Sequence, residues 1–366
     1  MKSQTNSMGK SSSRSRKRFR LPWPLAVLLV LVASFAAFLF VVPSPVASVA
    51  WSPPKRPANQ GVLAQNGLLL KADLLGQFQG AIGIAIDAQG RIYTGTAEGN
   101  ISRITVSADG KRSIAIFANT KGRPYGLAFD GRGNLIVADH KLGLLSVDPA
   151  GKVSVLSSEA HGAFGVAPAK DGKIYFTDAT SSTNALTTEL LESKPHGRLL
   201  AYDPATKATK VLRSDLYYPS GIAVTPSGDA LLVAEKARYR IFRYDLQSAK
   251  ETSFAENLPG FVGGLHFDDR GSLWVAVTEP RSDLIDNVSA NPEIKNQLAK
   301  LPVSILKGNE KGYGLVLILD NKGQILRSLH DPTGRIHKIT DVQVRGEFFY
   351  VGSEDDSGVG RLAITP

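Results

Sequence analysis

The chain of 366 residues contains no cysteine. This absence excludes disulfide bonds, thiolate metal ligands and a cysteine nucleophile. It does not place the protein in the cytosol, because exported proteins need not carry disulfides. Helical periodicity is also scarce after residue 60, which argues against an α/β fold with helices between the strands.

Acidic residues are absent from the first 20 positions. The formal net charge of the whole chain is +10, and the tail formed by residues 1–20 supplies +7 of it. The remaining residues are therefore close to neutral, at +3. A nucleic-acid-binding protein would concentrate its positive charge on a folded surface, so nucleic acid is not expected as a partner. The bases of the tail are Lys2, Lys10, Arg14, Arg16, Lys17, Arg18 and Arg20.

A long uncharged run, Leu21 to Val42, follows this basic tail. As a helix it would span about 33 Å, enough to cross a bilayer core of about 30 Å. We predict that residues 21–42 form a transmembrane signal anchor that binds the protein to the membrane. The charge asymmetry predicts a cytoplasmic N-terminus and an exported, extracytoplasmic (periplasmic) remainder. The alternative is a cleaved signal peptide, since Ser48-Val49-Ala50 has the small-x-small form of a cleavage site.

Residues 43–60 are rich in proline and predict an extended linker, with the folded domain over residues 61–366. That domain repeats one unit: a glycine with an aliphatic residue, a short apolar strand, a polar glycine turn and a second strand. The units open at Gly83, Gly126, Gly165, Gly221, Gly264 and Asp341.

Such units cannot bury their faces alone and pack radially around an axis. The sequence therefore predicts an all-β, six-bladed β-propeller preceded by one N-terminal transmembrane helix. Two insertions interrupt the repeat, at about Ala179–Pro195 and Glu279–Lys311. The second contains NPEIKNQLAKL, which predicts a short helix.

The ordered segments RPYGLAFDGRGNLIVADHKLGLLSVDP, KIYFTDATSS, GRLLAYDPATKATKVL, YPSGIAV, LLVAE, LPGF, SLHDPTG and FFYVGS resemble the strictosidine synthase-like family. The resemblance is greatest to its adipocyte plasma membrane-associated protein branch, which is related to senescence marker protein/gluconolactonase and paraoxonase propellers. It implies a lactonase or arylesterase-type hydrolase, often calcium-dependent, with its site at one mouth of the central channel.

The family's functional residues are not present at the matching positions. Where the related hydrolases hold calcium with Glu, two Asn and Asp, this chain has Ile82, Phe164, Ser220 and Gly263. Calcium needs several converging oxygen ligands. We therefore predict that no metal is bound and that no cofactor is used. Thr340 stands where the resemblance places the catalytic glutamate of strictosidine synthases, so strictosidine synthesis is not expected.

The same alignment predicts a mostly apolar channel mouth that suits a small, uncharged ligand in the central channel. Its six positions are Ile82, Tyr125, Phe164, Ser220, Gly263 and Thr340. Ser220, His266 and Asp341 are candidates for a catalytic triad, and His140 or His161 for a general base. Each also has a purely structural interpretation. Asp139, Asp178 and Glu235 end matching strands and are expected to bind backbone groups.

Two functional hypotheses follow. The first is a hydrolase of small esters or lactones that works without tightly bound calcium. The second is a non-catalytic propeller whose mouth binds a small apolar ligand or a protein partner of the cell envelope.

Overall fold

The computed structural model describes residues 22–76, 80–181, 186–307, 312–355 and 358–364. The basic tail, residues 1–20, lies outside the described residues. The chain divides into two compact units, Met1–Pro45 and Val46–Pro366.

The described part of the first unit contains one helix, α1 (Trp23–Val41), with no charged residue in its first or last turn. Pro22 and Pro24 flank Trp23 at its start, where proline is tolerated because the first N–H groups have no helical partner. The helix is long and apolar enough to cross a membrane by length and composition. Nineteen residues of helix span about 28 Å.

The described part of the second unit forms six four-stranded antiparallel sheets, and these confirm the six-bladed β-propeller. Blades 1 to 5 follow chain order, with the first strand of each nearest the axis. The strands of blades 1 to 3 are β2 (Ile84–Ile86), β3 (Ile92–Gly95), β4 (Asn100–Val106), β5 (Arg112–Asn119), β6 (Pro124–Phe129), β7 (Leu135–Asp139), β8 (Gly143–Val147), β9 (Val153–Ser157), β10 (Ala163–Pro168), β11 (Ile174–Asp178), β12 (Gly197–Asp203) and β13 (Ala208–Leu216).

Blades 4 and 5 contain β14 (Pro219–Val224), β15 (Ala230–Glu235), β16 (Arg240–Asp245), β17 (Glu251–Ala255), β18 (Gly260–Phe267), β19 (Leu273–Pro280), β20 (Gly314–Leu319) and β21 (Ile325–Asp331). Blade 6 combines both ends of the unit: β22 (Ile339–Arg345), β23 (Phe348–Ser353) and β24 (Gly360–Ala363) pair with β1 (Asp73–Leu74). Asp73 lies opposite Arg361 in this pairing, which closes the ring.

The core lies between neighbouring blades, because each sheet must cover both of its faces. The second strand of a blade is buried along its whole length, as in β7 and β15. The outermost strand is largely exposed, as in β9 and β17. Leu231 and Val233 of blade 4, for example, belong to one apolar cluster with Tyr175 of blade 3.

Both predicted insertions follow the second strand of a blade and contain helices. The first holds α2 (Leu186–Glu192), and the second holds α3 (Asp283–Val288), α4 (Pro292–Leu298) and α5 (Val303–Lys307). Helix α4 confirms the helix predicted from NPEIKNQLAKL. Its N-cap is Asn291, whose side chain accepts hydrogen bonds from the N–H groups of Glu293 and Ile294.

The second unit begins at Val46, ahead of the boundary expected near Gly61. Residues 46–51, which the composition assigned to a free linker, bind the insertions instead. The Val49 N–H donates to the Glu192 carbonyl, and the Trp51 N–H donates to the Ser289 carbonyl. Proline content alone could not reveal these contacts, because their partners are far away in the sequence.

Candidate functional site

The propeller axis is lined by the residues that open each repeat. A Cβ atom on Gly126 would lie 2.4 Å from the Phe164 carbonyl oxygen, and one on Gly221 would lie 2.1 Å from that of Gly263. Glycine is therefore required here for close approach between inner strands. The pairing of five inner strands, β6, β10, β14, β18 and β22, also shifts register beside these positions. Such bulges turn side chains toward the channel.

Asp341 takes the glycine position in blade 6 and places a carboxyl group on the axis. Its Oδ2 accepts a hydrogen bond of 2.8 Å from the Ile84 N–H, and its Oδ1 accepts one of 2.8 Å from the Val342 N–H. Burial raises the pKa of Asp341 to about 7, while these two bonds act in the opposite direction. Asp341 thus joins blade 6 to the neighbouring blade 1 beside the axis.

The central cavity beside Asp341 is narrow, with a volume of about 40 Å³. That space holds roughly three water molecules. Four of the six predicted mouth residues border it, together with Asp341: Ile82, Tyr125, Phe164 and Thr340. At the other two blades, the neighbouring Gly221 and Gly264 border the cavity in place of Ser220 and Gly263.

Two of the three mouth hydroxyl groups, those of Ser220 and Thr340, hold neighbouring blades together. Ser220 Oγ donates to the Val262 carbonyl at 2.8 Å, and Thr340 Oγ1 donates to the Ile82 carbonyl at 2.6 Å. Both side chains are buried. A serine whose proton is committed to a backbone carbonyl is not activated as a nucleophile.

The structure does not assemble Ser220, His266 and Asp341 into a triad. Within the described residues, no hydrogen bond joins any two of them. His266 lies half-buried on β18, and burial is the main cause that lowers its pKa. The charged groups that act on it are Asp268 and Asp269, not Asp341. Each of the three residues therefore interacts with different neighbours.

Aromatic rings form one wall of the channel mouth. The Tyr125 and Phe164 ring centroids are 4.7 Å apart, and Tyr218 packs edge-on against Phe164 at 6.3 Å. His140 packs against the other side of Tyr125 at 5.3 Å, with its Nδ1 buried and lacking a partner among the described residues. Burial lowers the pKa of His140 and raises that of Tyr218. This wall suits a ligand with a flat, apolar body.

Glu189 on α2 adds a carboxyl group that the sequence reasoning missed. Leu186, one turn earlier on the same face, packs on the cluster of Phe164 and Tyr218. Glu189 is only 4 % exposed, so its carboxyl group is nearly removed from solvent. Burial raises its pKa to about 7, with the Thr180 hydroxyl acting in the opposite direction.

Lys236 is the second residue that was missed. It directly follows the buried strand β15, and its ammonium group lies 5.0 Å from the Phe164 ring centroid and 5.7 Å from that of Tyr218. Burial lowers its pKa to about 8. In the sequence, Lys236 follows the strand pattern LLVAE, and a charged residue at such a position is usually a solvated loop residue. Only the packing around the mouth shows that Lys236 is buried.

The acids at the strand ends bind backbone N–H groups, as predicted. Asp139 accepts from the N–H groups of Arg123, Lys141 and Leu142. Asp178 accepts from Gly162 and also pairs with Arg198. Glu235 accepts from Tyr217. These carboxylates hold loops in place and are not free for chemistry.

No group of three or more His, Cys, Asp or Glu side chains suited to a metal ion occurs among the described residues. At the four positions where the resemblance implies calcium ligands, Ser220 offers the one side-chain oxygen, and its proton is donated to Val262. This donor set does not fit calcium, which needs six to eight oxygen ligands.

The six-bladed β-propeller fold recurs in proteins of known structure. The structure is similar to a gluconolactonase from Xanthomonas campestris, with a TM-score of 0.57 and 17% identity over 89% of this chain and 99% of that one. It is also similar to regucalcin, a calcium-binding protein from Agrobacterium tumefaciens, with a TM-score of 0.58 and 14% identity over 80% of this chain and 93% of that one. These similarities show the fold.

The chain belongs to the strictosidine synthase-like family. The family model for strictosidine synthase matches residues 162–249, and that for the strictosidine synthase-like N-terminal region matches residues 61–104. Adipocyte plasma membrane-associated protein of Rattus norvegicus is 31% identical over 93% of this chain and 98% of its own length. Strictosidine synthase-like 7 of Arabidopsis thaliana is 33% identical over 74% of this chain and 75% of its own.

Proposed function

We propose that this protein is a hydrolase of the lactonase or arylesterase type that acts on a small, uncharged ester or lactone at the propeller mouth. The observation that supports this proposal is a nearly buried carboxyl group, Glu189, that acts electrostatically on Tyr218 of the aromatic wall. A carboxyl group with a pKa near 7 is well matched to general base catalysis at neutral pH. The gluconolactonase whose fold it shares is consistent with this reaction class.

In this proposal the aromatic wall binds the apolar body of the ester and Glu189 supplies the base. The ionised Glu189 takes a proton from water as the water oxygen bonds to the ester carbonyl carbon. The carbon–oxygen bond to the leaving alcohol then breaks, and that alcohol takes up the proton. Tyr218 stays protonated because its pKa is raised, so its hydroxyl can donate a hydrogen bond to the developing oxyanion.

The test is hydrolysis of phenyl acetate and of a simple γ-lactone by the full-length protein in detergent. We expect Glu189→Gln to lower kcat on the order of a hundredfold, the usual contribution of a general base. Wild-type activity should rise with pH through about 7, as Glu189 ionises. Glu192→Gln is the matched control on the same helix, since Glu192 pairs with Lys194 and His196 instead. Equal activity of Glu189→Gln and wild type would overturn the assignment.

A non-catalytic binding role is the second candidate. The hydroxyl groups of Ser220 and Thr340 favour it, because both donate to backbone carbonyl groups and neither is activated as a nucleophile. It predicts saturable binding of phenyl acetate, seen as a change in tyrosine fluorescence, with no turnover in any variant.

We also propose that α1 anchors the protein in a membrane, with the propeller exported. The apolar composition of α1 and the positive charge before it support this arrangement. The protein should remain in the membrane fraction after alkaline carbonate extraction. Protease added outside the cytoplasmic membrane should digest the propeller but leave the N-terminal tail. Release into the soluble fraction would instead indicate a cleaved signal.

A further inference from the structure

Two lysines among the described residues are almost completely removed from solvent, and they differ in one respect. Lys295 is 0% exposed, and its Nζ donates to the Val49 carbonyl oxygen and, at 3.0 Å, to Ser193 Oγ. Lys236 is 3% exposed, and its Nζ forms neither a hydrogen bond nor an ion pair with any residue that the structure describes. Burying an amine without a partner is costly, so Lys236 needs an explanation that Lys295 does not.

Burial lowers the pKa of Lys236 to about 8, although its neighbours favour the charged form. The groups packed against it are two aromatic rings, Phe164 and Tyr218, at 5.0 and 5.7 Å. The carboxylates of Glu354 and Glu279 act on it electrostatically and only partly offset the cost of burial. Glu354 is itself engaged by Arg123 at 2.8 Å. With this pKa the amine is mostly protonated at pH 7, but its unprotonated fraction, about a tenth, is far above that of an exposed lysine, and the unprotonated form is the nucleophile.

The position of Lys236 connects it to the channel mouth. Phe164 contacts Lys236 and also borders the central cavity, together with Tyr125. Tyr218, the other ring beside Lys236, keeps its hydroxyl protonated because burial raises its pKa. A nucleophilic amine, a neutral acid and a wall of aromatic rings thus occur at one site.

We propose that Lys236 forms a reversible imine with an aldehyde or ketone that carries a small aromatic or apolar body. The Nζ lone pair bonds to the carbonyl carbon, and the carbonyl π electrons move to oxygen, which takes up a proton. Nitrogen then loses its protons and forms the second bond to carbon, while the carbon–oxygen bond breaks and the oxygen leaves as water. Water addition reverses the reaction, so no oxidant or reductant is needed. The proposal shares the mouth with the proposed hydrolase but uses a different residue.

The test is reductive trapping with benzaldehyde and cyanoborohydride on the full-length protein in detergent, followed by peptide mapping. We expect the Lys236 peptide to be modified at least tenfold faster at pH 7.5 than the peptides of exposed lysines. An exposed lysine with its ordinary pKa near 10.4 is almost wholly protonated at this pH. Lys295 is the internal control: it is buried with a pKa also near 8, but its Nζ is bonded on two sides and should stay unmodified.

Two variants separate a reactive amine from a merely structural cation. Lys236→Arg keeps the charge beside the rings and should remove the fast adduct while leaving the melting temperature close to wild type. Lys236→Met should remove the adduct as well. Modification of Lys236 at the rate of surface lysines, or no modification of it in folded wild-type protein, would overturn the proposal. Phenyl acetate hydrolysis measured on the same samples tests Glu189 separately, so either proposal can fail alone.

Discussion

On the propeller axis, adding a single side-chain atom has a large effect on packing. Five glycines there lie against the neighbouring inner strands, and Asp341 occupies the sixth position. At the five axial glycines there is no room for a side chain, because the inner strands converge. Asp341 breaks this rule, and its carboxyl group occupies the position where a neighbouring side chain would lie: a Cβ on Gly264 would be 2.2 Å from its Oδ1. The packing of the axis therefore depends on the identity of individual residues.

Gly126→Ala tests the close approach of inner strands. The new methyl group would meet the Phe164 carbonyl oxygen at 2.4 Å, so the backbone must shift. We expect the free energy of unfolding to fall by about 3 kcal/mol. Gly131→Ala is the control, since its Cβ would meet nothing within 4 Å, and a change within about 0.5 kcal/mol is expected. Chemical denaturation measures both, and equal stabilities would contradict the crowded axis.

Asp341 should make stability depend on pH in an unusual direction. Its folded-state pKa of about 7 is above the value of an unfolded aspartate, near 3.9. Between these values the unfolded state has lost the proton that the folded state keeps, so stability falls as pH rises from about 4 to 7. The loss is on the order of 4 kcal/mol at most.

Asp341→Asn removes this titration. The amide cannot accept both backbone N–H bonds, so the variant is expected to be less stable at pH 4. Its deficit relative to wild type should then shrink by several kcal/mol toward pH 7. Urea denaturation across this range measures the change, and a constant deficit would refute the raised pKa.

Among the structural elements, the insertion helices and the segment of residues 46–51 depend on one another. Helices α2 and α4 pack together with Val46, and Lys295 on α4 binds the Val49 carbonyl. Helix α2 of the first insertion also carries Glu189, which acts electrostatically on Tyr218. Elements far apart in sequence thus pack together. This packing stabilises the insertion helices, which are too short to be stable alone in water.

Lys295→Met tests this coupling. Without the ammonium group, the Val49 carbonyl loses its donor and the segment 46–51 loses one of its attachments. We expect the amide hydrogens of Val49 and Trp51 to exchange at least tenfold faster by mass spectrometry. Lys210→Ala, at an exposed position on β13, should leave them unchanged. Unaltered exchange in Lys295→Met would show that the other contacts hold the segment without it.

For the whole molecule, the missing calcium ligands give a direct prediction. An ion present at 100 times its dissociation constant would add about 2.7 kcal/mol to the free energy of unfolding. For a domain of this size that corresponds to a rise in Tm of roughly 5 °C. We expect the full-length protein to melt at the same temperature in excess calcium and in chelator. A clear rise in calcium would mean that a rearranged metal site exists.

Much of the fold was predictable because its signals are local. The turn glycines and alternating apolar runs predicted the blades, and the α4 helix was visible in Asn291-Pro292-Glu293. The site was less predictable. The residue types of Ser220, His266 and Asp341 suit a catalytic triad, but in the structure each of them contacts different groups. Glu189 and Lys236 gave no signal in the sequence, since a charged residue after a strand or in a short helix usually faces water.

The sequence by itself determined the apolar N-terminal helix, the repeat of strand and turn and the number of blades. These depend on hydrophobic periodicity and on turn residues, which act over a few neighbouring positions. Only the tertiary structure decided that β1 completes blade 6, that residues 46–51 bind the insertions and that Glu189 and Lys236 share the mouth. The physical reason is that these contacts join residues far apart in the chain, and burial of a charge is a property of the packed molecule.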